Sequence, residues 1–167
     1  MDKIKRTLKV IFCICACICL FSGCGTGSTQ KKDGTCTISI ECSNILNNMD
    51  SLNSEKKEFV PSDGWILKET QVSFKGGDTV FDVLKKVCSK NDIHMASRYT
   101  PLYKSYYVEA INQLYELDCG KNSGWMYSVN GKFPNYGCSE YELEDGDKIE
   151  WRYTCDLGSD VGNPYKK

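Results

Sequence analysis

The chain has 167 residues, 41% hydrophobic and 26% charged, a length that fits one domain with a modest core. The formal charge of −1 excludes a nucleic-acid binder held by a basic face. A single His excludes any site that needs two imidazoles, and 11 Cys make redox compartment the first question.

Residues 1–9 carry Lys3, Lys5, Arg6 and Lys9, and residues 10–21, VIFCICACICLF, are apolar and uncharged. A basic start before about a dozen apolar residues reads as a secretory signal, because a membrane span needs roughly 20. The run ends in Leu20-Phe21-Ser22-Gly23-Cys24. Small residues before a Cys resemble the bacterial lipobox. That resemblance implies cleavage before Cys24 and acylation of its sulfur, a palmitate-type membrane anchor. Ordinary signal cleavage near Gly23 is the alternative. Residues 1–23 are thus expected to be a lipoprotein signal peptide. Residues 24–35 are polar and Gly/Ser-rich, the composition of a flexible tether. The protein is placed on the outer face of the cell membrane, lipid-anchored.

Four Cys leave with the signal. Beyond Cys24 remain Cys36, Cys42, Cys88, Cys119, Cys138 and Cys155, an even set with no CxxC spacing. In an exported chain that predicts three disulfides and no zinc knuckle; six free thiols in a cytosolic or anaerobic setting are the alternative.

The folded domain is expected over 36–156, followed by a loose tail at 157–167. Cys36, Ile38, Ile40 and Cys42 alternate with Thr37, Ser39 and Glu41, a half-buried strand. Ile45, Leu46, Met49 and Leu52 recur at helical spacing. Pro61-Ser62-Asp63-Gly64 is a turn, which Trp65-Ile66-Leu67 is expected to pack down. Val72-Ser73-Phe74 forms a second short strand. Thr79 with Asp82 is a capping-box pattern opening a helix, with Val80, Phe81, Leu84, Val87 and Cys88 inward and a stop near Asn91-Asp92. Val108–Ile111 is a strand within a stretch rich in Tyr. Trp125, Tyr127 and Val129 alternate up to Asn130-Gly131, a strong hairpin signal. Asp145-Gly146-Asp147 turns into an amphipathic strand with Ile149, Trp151 and Tyr153 on one face. The result is an α+β domain: a small mixed β-sheet with hairpins against one main helix, β-grasp-like and disulfide-stapled.

Catalytic motifs are absent: no GxSxG, no P-loop and no GxGxxG. Glu140, Glu142, Glu144, Asp145 and Asp147 cluster, but a solvated strand edge explains them better than Ca²⁺ or a glycosidase pair. His94 is read as an ordinary side chain rather than a ligand. No metal site, cofactor or enzymatic activity is expected. Phe133 and Tyr136 flank Pro134-Asn135 in a loop. They either present aromatic faces to a flat ligand or pack on the sheet rim.

The stretch Gly76–Tyr153 resembles the transcobalamin-like C-terminal domain family, of the DUF4430 type. The matching pieces are Gly77-Asp78-Thr79-Val80-Phe81-Asp82-Val83-Leu84, Tyr107-Val108-Glu109-Ala110-Ile111, Gly124–Gly131 and Asp145–Trp151. The Cys content resembles a subgroup found in lipoproteins of Gram-positive bacteria. In vitamin B12 carriers this domain closes over one face of the corrinoid, while a helical domain holds the rest. The resemblance implies that Tyr107 and the hairpin residues Met126, Asn130 and Phe133 face the ligand, joined here by Tyr136. It makes cobalamin the candidate ligand. The alternative is a surface module that binds a protein or the cell wall.

The disulfide expectations are Cys119–Cys138, which bracket the hairpin, Cys42–Cys88, which join strand to helix, and the remaining Cys36–Cys155.

Overall fold

A computed structural model describes residues 31–163. Its elements are β1 (Gly34–Glu41), α1 (Ser43–Leu46), β2 (Trp65–Phe74), α2 (Val80–Lys90), β3 (Met95–Thr100), β4 (Ser105–Ile111), β5 (Leu114–Tyr115), β6 (Gly124–Val129) and β7 (Lys148–Thr154). Short 3₁₀ turns sit at Ser54–Phe59, Pro101–Tyr103 and Ser159–Val161. The signal, the Cys24 anchor and residues 24–30 of the tether lie outside the described residues, as do residues 164–167.

The strands form two sheets, ordered β2-β1-β7-β6 and β3-β4-β5. The first is mixed. β1 runs parallel to β7, while β2 and β6 are antiparallel to their neighbours. The α+β reading is correct, but the single sheet becomes two. The second sheet exists because Met95–Thr100, which carries no clean alternation, folds back antiparallel on β4.

Packing follows the patterned residues. Ile38, Ile40, Ile149, Trp151 and Tyr153 from the first sheet share one core with Val80, Val83, Leu84 and Val87 of α2. α2 opens as its sequence demands. The Thr79 side chain accepts from the Asp82 N–H, and the Asp82 carboxylate accepts from the Thr79 N–H, a reciprocal capping box. Two further first-turn donors, the N–H groups of Val80 and Phe81, go to the carbonyls of Tyr141 and Cys138 at 3.0 and 3.1 Å. The helix start therefore holds the segment that precedes β7.

Several expectations change. Trp65-Ile66-Leu67 do not pin a loop; they open the ten-residue β2. The helical spacing at 45–52 yields only the four-residue α1. Asn130 and Gly131 do form a tight turn, both with positive φ, closed by Val129 and Lys132 bonding each other's backbone. No second strand follows at once. The chain leaves on a loop over 133–147, and β6 pairs with the distant β7 instead. Residues 157–163 are not loose: Val161 is buried, and its carbonyl accepts from Arg152.

The disulfide staples are not formed: all six cysteines from Cys36 onward are free thiols. The parallel register explains one failure. Thr37 lies opposite Lys148, which puts Cys36 at one end of the sheet and Cys155 beyond the other. At roughly 3.3 Å per residue, that is about 25 Å of strand. Cys119 and Cys138 point to different neighbours, Cys119 to the Asn48 carbonyl and Cys138 to the Tyr106 carbonyl. Cys42 is buried beside the Gly64 turn, to which its N–H is bonded, and Cys88 is buried near the C-terminal end of α2, with no thiol contact joining the two.

Candidate ligand-binding cleft

Where the loop after β6 passes β4, the two sheets leave a two-lobed cleft. One lobe has a volume of about 730 Å³ and the other about 280 Å³. Tyr106, Tyr107, Pro134, Tyr136 and Gly137 line both, so the lobes are one continuous feature.

The loop is fastened to β4 by small residues. Ser139 Oγ lies 2.8 Å from Ser105 Oγ and accepts from the Tyr106 N–H at 3.0 Å. A Cβ on Gly137 would fall 1.8 Å from Ser105 Oγ and 2.3 Å from Ser105 Cβ. Only glycine lets the loop approach this closely. Farther along, the Tyr127 hydroxyl donates to the Tyr136 carbonyl at 2.8 Å. The loop is thus held at 136, 137 and 139.

The walls differ. The larger lobe has Arg98, Tyr103 and Glu140 among its lining residues, a mixed and half-open rim. The smaller lobe is lined by Trp125, Met126, Tyr127, Phe133 and Trp151. Tyr107, between them, is held on both sides. Arg98 lies 5.2 Å over its ring, and its hydroxyl donates to Glu116 at 2.5 Å. Burial and then the Glu116 partner push its phenol up to about 12, so it stays neutral and polar. Arg98 is itself paired with Glu109 at 2.8 Å. Trp125 donates its indole N–H to the Leu114 carbonyl at 2.8 Å, tying β6 to the second sheet. Trp151 Nε1 is buried without a hydrogen-bond partner among the described residues.

Of the expected ligand-facing residues, Tyr107, Phe133, Tyr136 and Met126 come together here. Their roles differ from the expectation. Tyr136 is 46% exposed at the rim and stacks on Tyr141 with ring centres 6.0 Å apart. Phe133 is only 8% exposed and is wall rather than platform. Asn130 is not in the cleft. Its amide nitrogen donates to Asp147 at 2.7 Å and its oxygen accepts from the Lys148 N–H at 2.9 Å, so it serves the turn. Sequence reading missed Arg98, Tyr103, Tyr106, Glu140 and Trp151. The density of Tyr between 99 and 107 was the available signal for part of this set.

The acidic cluster disperses into structural work. Asp145 accepts from the Thr35 N–H, Glu142 pairs with Lys31, and Asp147 accepts from the Glu144 N–H. His94 Nδ1 accepts from the Gln113 N–H at 3.4 Å, and its Nε2 lies 3.5 Å from the Tyr115 hydroxyl. Among the described residues, no group of three His, Cys, Asp or Glu side chains is placed to hold a metal.

Comparison with known proteins adds three findings. Residues 77–155 match the family described as "Domain of unknown function (DUF4430)". No curated protein matches the chain. Among solved structures, haptocorrin in complex with Cbi superposes with a TM-score of 0.55 at 16% identity, over 76% of this chain. This chain spans only 26% of haptocorrin, so the likeness is one of fold over a part of that protein. A Ruminococcus gnavus protein provisionally described as metal binding matches 72% of this chain and 96% of its own at 15% identity, with a TM-score of 0.41 that carries no argument. The matched residues include the capping box of α2, the held Tyr107 and the whole cleft loop. Residues 77–155 thus carry the match to DUF4430, within a fold similar to part of haptocorrin.

Proposed function

We propose that this protein is a binding protein rather than an enzyme, and that it captures a flat, partly apolar ligand in the cleft between β4 and the loop over 133–139. The observation that carries the reading is the held aromatic frame. Tyr107 is fixed by Arg98 and Glu116, and Tyr136 by Tyr141 and the Tyr127 hydrogen bond. Rigid aromatic surfaces bind planar groups without much ordering cost. A corrinoid is the ligand class proposed, on the fold likeness to haptocorrin, whose structure holds Cbi. This chain matches about a quarter of that protein, and it is proposed to offer one wall of such a site. With the lipobox-like Cys24, the domain is proposed to work on the outer face of the membrane, lipid-anchored, in a Gram-positive bacterium.

The test is a titration of the full chain with cobalamin and with cobinamide, followed by absorbance and by intrinsic fluorescence. Trp125 and Trp151 in the smaller lobe make the fluorescence sensitive to occupancy. Saturable binding that weakens about tenfold or more in Tyr136→Ala supports the reading, loss of one aromatic stacking partner being worth about 1–2 kcal/mol. No binding of either corrinoid by folded protein overturns the corrinoid assignment and favours the surface-interaction alternative.

A further inference from the structure

Away from the cleft, two thiols from distant parts of the chain touch. Cys119 follows β5 and precedes β6; Cys155 directly follows β7. Their sulfurs are 3.5 Å apart, with the Cys155 S–H donating to Cys119 Sγ. Among the described residues no other pair of thiols is in such contact. Cys36 donates to the Val72 carbonyl and Cys138 to the Tyr106 carbonyl.

We propose that Cys119 and Cys155 are a specific thiol-oxidation site, a dithiol that closes to a disulfide between the β5–β6 loop and the end of β7. The surroundings suit that chemistry. Cys155 is half-buried and Cys119 buried, so the pair lies at the edge of the core and not in its interior. The other four thiols are buried, and among the described residues none of them is in direct contact with another thiol. The sulfurs must approach by about 1.5 Å to bond, and Cys119 lies in the loop before β6. Next to it, Gly120 has a φ of +95° and open space where a Cβ would lie. The rest of the connection is already in register. Tyr153, two residues before Cys155, donates its hydroxyl to the Tyr115 carbonyl and lies 3.0 Å from Ser123 Oγ, on either side of Cys119.

The step balances with a small disulfide as oxidant. The thiolate of one cysteine of the pair attacks the oxidant's sulfur–sulfur bond, which breaks and releases one thiol that takes up that cysteine's proton. The second cysteine, as thiolate, then attacks the sulfur of the mixed disulfide and expels the second thiol, which takes up the second cysteine's proton. Two thiols are oxidised to one disulfide, and the oxidant is reduced to two thiols. The product joins the loop after β5 to the end of β7, closing a loop of the chain that the unfolded state would otherwise leave free. This inference does not depend on the ligand reading.

The experiment is oxidation of the folded full chain with oxidised glutathione, followed by quenching, non-reducing peptide mapping and a thermal melt. The expected result is a loss of two hydrogens carried by a peptide joining Cys119 to Cys155, with an oxidant-dependent rise in melting temperature. Cys155→Ser should abolish both the cross-link and the rise, whereas Cys138→Ser should keep both. Should Cys155→Ser fail to fold, the wild-type peptide map still decides. Cys119 linked to any other Cys, or both thiols still open to alkylation after oxidation of folded protein, overturns the proposal.

Discussion

In the four-stranded sheet, Ile38, Ile40, Ile149, Trp151 and Tyr153 are at most 2% exposed; in the three-stranded sheet, Tyr99, Tyr106 and Tyr107 keep 51%, 41% and 38% of their surface. Both sheets are antiparallel along most of their ladders, and both are rich in aromatic and β-branched residues. What differs is the cover. The first sheet shares its core with α2. The second is covered on its inner side by Val108, Ala110 and Leu114 packing inward, while its tyrosines face the cleft and solvent. Stability is therefore concentrated in one sheet and surface chemistry in the other. Of these aromatics, Tyr107 is held by the polar partners Arg98 and Glu116, and Tyr106 by stacking on Phe81 of α2 with ring centres 4.5 Å apart.

The sharpest way to break this division is alkali. Burial raises the thiol of Cys36 to about 11 and those of Cys42, Cys88 and Cys138 to about 12, from an ordinary 9.0. The unfolded chain then ionises first, so stability is whole below pH 9.0 and is lost as pH rises through 9.0 toward about 12. Near pH 10 each of these thiols should cost about 1 kcal/mol, enough together to consume much of a typical domain's stability. Denaturant melts across that range, compared with a variant in which Cys88 is Ala, would show the slope falling by one proton.

Trp125→Ala comes next, with an expected loss of about 3–5 kcal/mol, because it empties a buried indole and orphans the Leu114 carbonyl it bonds. Phe133→Ala should cost about 3 kcal/mol, since the ring is wall and not platform. Equal stability of wild type and Phe133→Ala in urea would show that the smaller lobe is not part of the packed frame. Asn130→Ala should cost about 1–2 kcal/mol through the lost Asp147 and Lys148 bonds and a left-handed φ, while leaving ligand affinity alone. Tyr136→Ala should stay within about 0.5 kcal/mol of wild type in stability, the usual range for a surface change, and act on binding only. A mutant that reversed the last two, unfolding without Tyr136 or losing ligand without Asn130, would erase the distinction between frame and platform.

Much of the fold was legible from the chain. The alternation in β1 and β7, the Thr79/Asp82 capping box and the Asn130-Gly131 turn are local signals, each settled by the side chains and backbone of a few consecutive residues. The motif spacing also sufficed to point to the family. Cleft residues were legible only where aromatic density flagged them, as with Tyr107 and Tyr136. Arg98 and Trp151 have no such local mark. They join the cleft because β3 pairs with β4 and because β7 lies beside β6.

The cysteines mark the boundary most clearly. Composition set their number and evenness, and nothing local says which is near which, because a strand carries a side chain about 3.3 Å farther with every residue. The parallel pairing of β1 with β7 sends Cys36 and Cys155 to opposite ends of the sheet, and the β5–β6 loop brings Cys119 to Cys155 instead. Partner choice is a property of register and strand order, and those are decided only when distant segments share one core.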